Sequence, residues 1–378
     1  MTAEIYLDNA ATTKVAKEVL DEMLPYFSER YGNASSLHKL GREAKKAIEE
    51  ARGSIAKCIN CKSEEIIFTA SGTEADNLAI KGLALAYPEK KHIITSKIEH
   101  AAVLETCRFL EKQGYKVDYI DVNKEGIVKV KEVERAIRKD TLIVSIMHVN
   151  NEIGTIQPIE EIAKICRSKR VFFHTDAVQS LGKLDIDASK FDLLSASGHK
   201  INGPKGIGFL YVRGGVSLVP LLHGGGHERG LRSSTENIPG IVGMAKALEL
   251  MKKADKEKIR KIRDKLIDEL LKIKDVRLNG LREKRIYNNI NISVRGVEGE
   301  SLLMLLDEQG LFTSTGSACS SHSLKSSHVL RAIGLSDEEA HGSLRITIGN
   351  DFTEKNIKRV IHITKDNVNK LRRISPID

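Results

Sequence analysis

Residues 195–212 read SASGHKINGPKGIGFLYV. An apolar run leads in, glycines and Pro204 turn the chain, and a second apolar run leads out. This is the pattern of a strand, a glycine-rich turn and a returning strand. At the turn stands Lys200, directly after Ser197, Gly198 and His199. A lysine in a loop is ordinarily a solvated charge. In a partly desolvated turn its pKa falls, and the free amine becomes a nucleophile that forms a Schiff base with an aldehyde.

Outward from this stretch the chain alternates between two periods. β-Rich runs occur at EIIFT, HIITS, KVDYI, TLIVSIMHV, RVFFHTD and FDLLSAS, all between about residues 64 and 212. Between them lie helical patterns such as TEADNLAIKGLALAY, AAVLETCRFLEKQG, VKEVERAIRK and IEEIAKICRSK. The alternation predicts βαβ units and a largely parallel sheet covered on both faces. In such sheets ligands gather beyond the carboxyl ends of the strands. One long amphipathic run then extends from Glu236 to Ile273. Strand-like DVRLNG and YNNINISVRG, helical GESLLMLLDEQG and SSHVLRAIG, strand-like GSLRITIG and a last helix from about Asp351 complete the chain. The expected division is a large domain over 15–255 and a smaller α+β domain over 1–14 and 256–378.

At 378 residues the chain is too long for one small core. The net charge of +9, from 60 basic and 51 acidic residues, includes no dense basic run, and few aromatics stand ready to stack on bases. Nucleic-acid binding is therefore not expected, whereas anionic ligands suit the balance. The opening MTAEIYLDNAATTK lacks a signal-peptide pattern, and no apolar stretch approaches a membrane span. Five scattered cysteines do not form a disulfide framework, so a reduced, cytoplasmic chain is expected. Cys58 and Cys61 make a C-x-x-C without the second pair that a zinc site wants. Cys107 and Cys166 fall on apolar-periodic segments.

A Schiff-base lysine suggests pyridoxal phosphate, which also needs a phosphate cradle, a carboxylate at the pyridine nitrogen and a group against the ring. FTASGTEADNLAI places Gly72 and Thr73 at a helix start, where backbone N–H groups bind anions; Ser71 and Glu74 equally fit a capping box. FFHTDAVQS sets Asp176 past an apolar strand, with Gln179 one turn on. Asp176 there is a partner for a pyridinium or a helix cap. TSKIEHAAV sets His100 after a further strand, where an imidazole stacks on a ring or simply packs.

Together YLDNAATT, YGNASSLH, SGTEADNLAI, HVNNEIGTIQPI, HTDAVQ, SGHKINGPKGIG, HGGGHERGLRSSTENI and STGSACSS span nearly the whole chain. In this order they resemble the NifS/IscS-type cysteine desulfurases, in the class V aminotransferase superfamily of fold-type I pyridoxal phosphate (PLP) enzymes. The resemblance implies an α/β fold, with a mostly parallel sheet flanked by helices in the large domain. It implies Lys200 as the Schiff-base lysine, Asp176 at the pyridine nitrogen and Gln179 at the phenolic oxygen. His100 would stack on the ring and act in proton transfer, and Gly72, Thr73, Ser197 and His199 would hold the phosphate. Thr235 would reach the phosphate from the neighbouring subunit of a homodimer. Asn151 and Arg345 would clamp the α-carboxylate of L-cysteine, a guanidinium suiting that task through paired hydrogen bonds.

The resemblance also gives Cys319 a task. In TSTGSACSSHS the thiol lies among small residues, either as an incidental cysteine of a solvated loop or as a nucleophile that travels. The family reading is that a thiolate at Cys319 takes sulfur from the substrate as a persulfide, and that a loop over about 313–327 carries it outward. The acceptors implied are an iron–sulfur scaffold of the IscU type, with Cys319 as a transient cluster ligand, or the machinery of tRNA thiolation. Lys325 and Ser326 replace an acidic-proline pair usual in the family. The alternatives are a selenocysteine lyase or other class V enzyme, and a degenerate member acting only as an assembly platform.

Overall fold

The computed structural model describes residues 4–316 and 326–374. Its strands are β1 (Ile5–Tyr6), β2 (Ile66–Thr69), β3 (His92–Ser96), β4 (Lys116–Ile120), β5 (Thr141–Ser145), β6 (Phe172–Asp176), β7 (Leu193–Ser197), β8 (Gly208–Val212), β9 (Val276–Leu278), β10 (Asn289–Val294), β11 (Leu311–Phe312) and β12 (Ser343–Thr347). Seven of them form one sheet in the order β2-β8-β7-β6-β5-β3-β4. All its pairings are parallel except the two that β8 makes, with β2 and β7. The reversal of β8 follows from the short turn after Lys200, which returns the chain directly beside β7. A parallel neighbour would have needed a crossover helix.

Five of these strands read IIFT, HIITS, TLIVS, LLSAS and GFLYV because both faces of the sheet are covered, and every residue in them is buried. Alternate side chains serve different cores. Ile67, Ile93, Leu193 and Leu210 pack with helices Gly72–Ala86 and Ala101–Lys112. Phe68, Ile94, Leu194 and Phe209 pack with helices Lys39–Cys58 and Ile238–Lys253 on the other side. Edge strand β4 carries Lys116 and Asp118, polar residues of the kind that protect an unpaired edge.

The run from Glu236 to Ile273 is two helices, Ile238–Lys253 and Lys256–Leu270, rather than one continuous amphipathic element. Ala254 is extended, and Asp255 caps the second helix by accepting from the Lys258 amide at 2.9 Å. An aspartate that bonds the amide three residues on begins a helix instead of continuing one. Beyond this break, β9, β10 and β12 form a three-stranded antiparallel sheet. Chain start β1 pairs with β11 in parallel, and Ile5, Leu7, Ile290, Ile292, Leu344 and Ile346 share one core. Among the described residues no helix is long and apolar enough to cross a membrane.

Candidate active site

Strands β2, β3, β5, β6 and β7 run the same way, so the loops after them open at one edge of the sheet. After β2, Ser71 accepts from the Glu74 amide at 3.1 Å and caps helix Gly72–Ala86. The capping box forms only by half. Glu74 bonds the Ala70 amide at 2.8 Å and pairs with Arg232 at 2.8 Å, leaving the Ser71 amide aside. First-turn amides of a helix lack intrahelical acceptors, so those of Gly72 and Thr73 are available to an anion. A Cβ at Gly72 would stand 2.6 Å from Val178 Cγ2 and 3.5 Å from Ser197 Cβ. Only glycine lets the helix start approach the Asp176 turn and the end of β7 so closely. Ser197 is buried there and Thr73 is exposed. Burial and the nearby lysines push the His199 imidazole down to about 4, and its Nδ1 meets Thr12 Oγ1 at 3.2 Å.

Lys200 closes the turn after β7. Its Nζ donates to the carbonyls of Ala10 and Ala11, at 2.6 and 2.7 Å. Gln179 donates to the same Ala10 carbonyl at 2.9 Å. YLDNAATT thus supplies a rim of backbone acceptors that holds the lysine amine in place. Asp176 is buried and accepts from the Val178 amide at 2.8 Å. Burial raises its pKa, and the charges of His100 and Lys200 oppose that rise. His100 caps helix Ala101–Lys112 by accepting at Nδ1 from the Ala102 amide, 3.1 Å away. That contact assigns the neutral ring's proton to Nε2.

Arg345, on β12, is buried and reaches across to the large sheet's loops. One Nη donates to Asp8 at 2.8 Å and the other to the Asn151 carbonyl at 3.2 Å. Its Nε is buried with no acceptor among the described residues. Asn151 therefore meets Arg345 through its backbone rather than its side chain. Thr235 is exposed and lines a cavity of about 130 Å³ with Ala70, Gly206 and Arg232. No described hydrogen bond joins it to Lys200, Asp176 or Gln179. Cys319 and Lys325 lie outside the described residues. Ser326 donates to Asp337 at 2.5 Å, a polar tether where the family usually has proline.

Several buried titratable groups around this centre were not legible in the sequence. Asp76 lies beside His174, with 3.6 Å between Oδ1 and Nε2, and His174 also bonds Ser145 and Ser195. Burial and the Asp176 charge raise the Asp76 carboxyl well above its ordinary range. Burial pushes Glu99 up to about 8 although Ser96 and the Met147 amide donate to it. Glu152 is pushed up to about 7, with Ser327 donating at 2.5 Å. Lys183 is buried against Gln179. Nothing in the local pattern marks these residues, because desolvation is a property of the assembled fold. Asp8 was readable only as part of YLDNAATT.

The site therefore joins an amine held by carbonyls, a buried carboxyl, a capping imidazole and a helix start opened by Gly72. This donor set fits pyridoxal phosphate: Lys200 brings an amine, Asp176 a buried carboxyl that accepts from the Val178 amide, and the helix start at Gly72 backbone donors for a phosphate. Fold and site together define a fold-type I enzyme. Residues 5–360 match the aminotransferase class-V family model. The chain is 52% identical to the cysteine desulfurase IscS of Dictyoglomus turgidum, over 100% of this chain and 97% of that protein. A solved NifS-like protein superposes with a TM-score of 0.90 at 38% identity, covering 98% of this chain and 99% of its own. SspA, solved in complex with cysteine, gives a TM-score of 0.83 at 42% identity, covering 92% and 99%. The chain belongs to the class-V aminotransferase family, whose cofactor is pyridoxal phosphate.

Proposed function

We propose that this chain is a pyridoxal-phosphate-dependent cysteine desulfurase, a sulfurtransferase that converts L-cysteine to L-alanine and leaves the sulfur as a persulfide on Cys319. The observation that carries this reading is the Lys200 amine, held by Ala10 and Ala11 beside Asp176 and His100. Its setting is a chain that matches IscS proteins over its full length. Bound pyridoxal phosphate supplies an aldehyde that captures amines and a ring that accepts electrons from the adjoining carbon. Asp176 holds the ring nitrogen cationic, Gln179 donates to the phenolic oxygen, and His100 stacks on the ring. Gly72, Thr73, Ser197 and His199 bind the phosphate. Arg345 Nε, left without an acceptor, binds the substrate carboxylate beside Asn151. Lys200 Nζ moves the proton from the substrate α-carbon. Cys319, as thiolate, attacks the substrate sulfur; the C–S bond breaks, its electron pair stays on carbon, and protonation there gives alanine.

The same reading assigns residues 15–255 to the large domain, and 1–14 with 256–378 to the small one. It also assigns a cytoplasmic homodimer in which Thr235 completes the partner's phosphate site. Support for the dimer comes from Leu20, Leu24, Phe27 and Tyr31, which follow at spacings of three or four and are 46, 52, 62 and 67% exposed. An IscU-type scaffold or a tRNA-thiolating protein receives the sulfur, and Cys319 in the first case becomes a transient cluster ligand. The test is alanine and sulfide release from L-cysteine with a thiol reductant. Cys319→Ala should keep the bound cofactor's visible absorbance and lose both products. Sulfide release at the parent rate would refute the assignment.

A further inference from the structure

Lys183 stands four residues beyond Gln179, in the turns that follow β6, and is 4% exposed. Burial, aided by the charge of Lys200, pushes its amine down to about 7. Placing a lysine without water sacrifices hydration and side-chain freedom, so packing alone does not account for it. Its Nζ donates to Gln179 Oε1 at 3.2 Å. At the other end of that carboxamide, Nε2 donates to the Ala10 carbonyl, which also receives Lys200 Nζ.

The two ends of a carboxamide have nearly the same shape, and its partners decide which way it points. Turned over, the Gln179 oxygen would face the Ala10 oxygen and its NH₂ would face the Lys183 donor. Both contacts would be lost. Lys183 thus fixes the oxygen end, and the NH₂ end stays beside Lys200 with a second N–H still to give. A lysine amine donates whether or not it is protonated, so this orientation does not depend on titration.

We propose that Lys183 is a positioning residue for the cofactor: by holding Gln179 Oε1 it keeps the Gln179 N–H turned toward the ring's phenolic oxygen. This rests on the assignment of Gln179 to that oxygen made above. The test uses the pyridoxal-phosphate-loaded protein as Gln179→Ala, Lys183→Met and the double variant. The readout is the pH midpoint of the bound cofactor's visible absorbance rather than turnover. A phenolic oxygen without its donor holds more electron density and retains the neighbouring proton to higher pH. One hydrogen bond corresponds to a rise of about one pH unit. Lys183→Met should raise the midpoint in the same direction as Gln179→Ala and by most of its size, with no further rise in the double variant. Lys183→Gln, which keeps an N–H donor, should restore part of it and guards against a folding defect in the methionine variant. A shift in Gln179→Ala with none in Lys183→Met, or a double shift equal to the sum, overturns the role of Lys183 alone. No shift in Gln179→Ala overturns the assignment of Gln179 and this inference with it.

Discussion

Glu228 and Arg52 form a buried, bidentate ion pair, and removing one partner should damage the fold far more than removing both. The two Glu228 oxygens accept from Arg52 Nη1 and Nη2 at 2.7 and 2.8 Å, and one also accepts the Phe68 amide at 2.7 Å. Arg52 further donates to the Ile66 carbonyl and lies 4.7 Å from the Phe68 ring centre. Glu228 and Arg229 both sit in the left-handed region, at φ 48° and 57°, so this side-chain anchor holds a turn that the backbone alone disfavours. That turn belongs to HGGGHERGLRSST, the segment carrying Thr235. Glu228→Ala would leave a guanidinium that is 4% exposed with only Ile66 and the half-exposed Glu49, and would orphan the Phe68 amide. Breaking a buried pair in this way costs about 3–5 kcal/mol. At roughly 2 °C per kcal/mol for a unit of this size, the melting temperature should fall by about 6–10 °C. Arg52→Met should do comparable harm, whereas Arg52→Met with Glu228→Gln should recover a large share, since no buried charge is left alone. Scanning calorimetry of these variants together with Glu228→Gln, the single change that the double shares, measures the cycle. A Glu228→Ala melt within a degree or two of the parent, or a double variant as bad as the sum, would show that the pair does not hold this segment.

Two further outcomes follow from the carboxyl cluster and the glycine start. Asp76 faces Asp176, Glu99 and His174, and its raised pKa means that the native state binds a proton which the unfolded chain releases above about pH 4. Its contribution is therefore full at acid pH and is lost as pH rises. Asp76→Asn, which copies the protonated form, should keep the melting temperature at neutral pH and gain on the parent as pH increases; a loss of several degrees would mean that Asp76 is ionised. Gly72→Ala should cost about 1–3 kcal/mol by overpacking against Val178 and weaken pyridoxal phosphate binding. Val178→Ala on the same chain should restore stability, and a titration of cofactor into each apoprotein reads the affinity.

Much of this arrangement was legible in the sequence because strand ends announce themselves. FDLLSAS and RVFFHTD are continuous apolar runs that stop at Lys200's turn and at Asp176, and parallel-sheet geometry then sends both to one edge. The helix start at Gly72 was readable for the same local reasons, whereas the capping of helix Ala101–Lys112 by His100 was not. Contacts that depend on distant segments were not. Arg52 and Glu228 are 176 residues apart, and each alone reads as a surface charge. Lys183 and Glu152 are ordinary polar letters until the fold removes their water. The break at Ala254 was hidden because both flanking segments keep a helical period, and the aspartate that starts the second helix resembles any charged surface position.

On the proposed mechanism the sulfur leaves L-cysteine onto Cys319 and no other thiol. Cys61, Cys107 and Cys166 are pushed up to about 12 by burial, and burial raises Cys58 as well, so these four are poor thiolates near neutral pH. The direct measurement loads the protein with pyridoxal phosphate, adds L-cysteine labelled on sulfur without reductant, and maps the label by peptide mass spectrometry while alanine is counted. One labelled sulfur on the Cys319 peptide is expected for each alanine formed. Alanine without label at Cys319, or label on any of the other four cysteines, would contradict that mechanism.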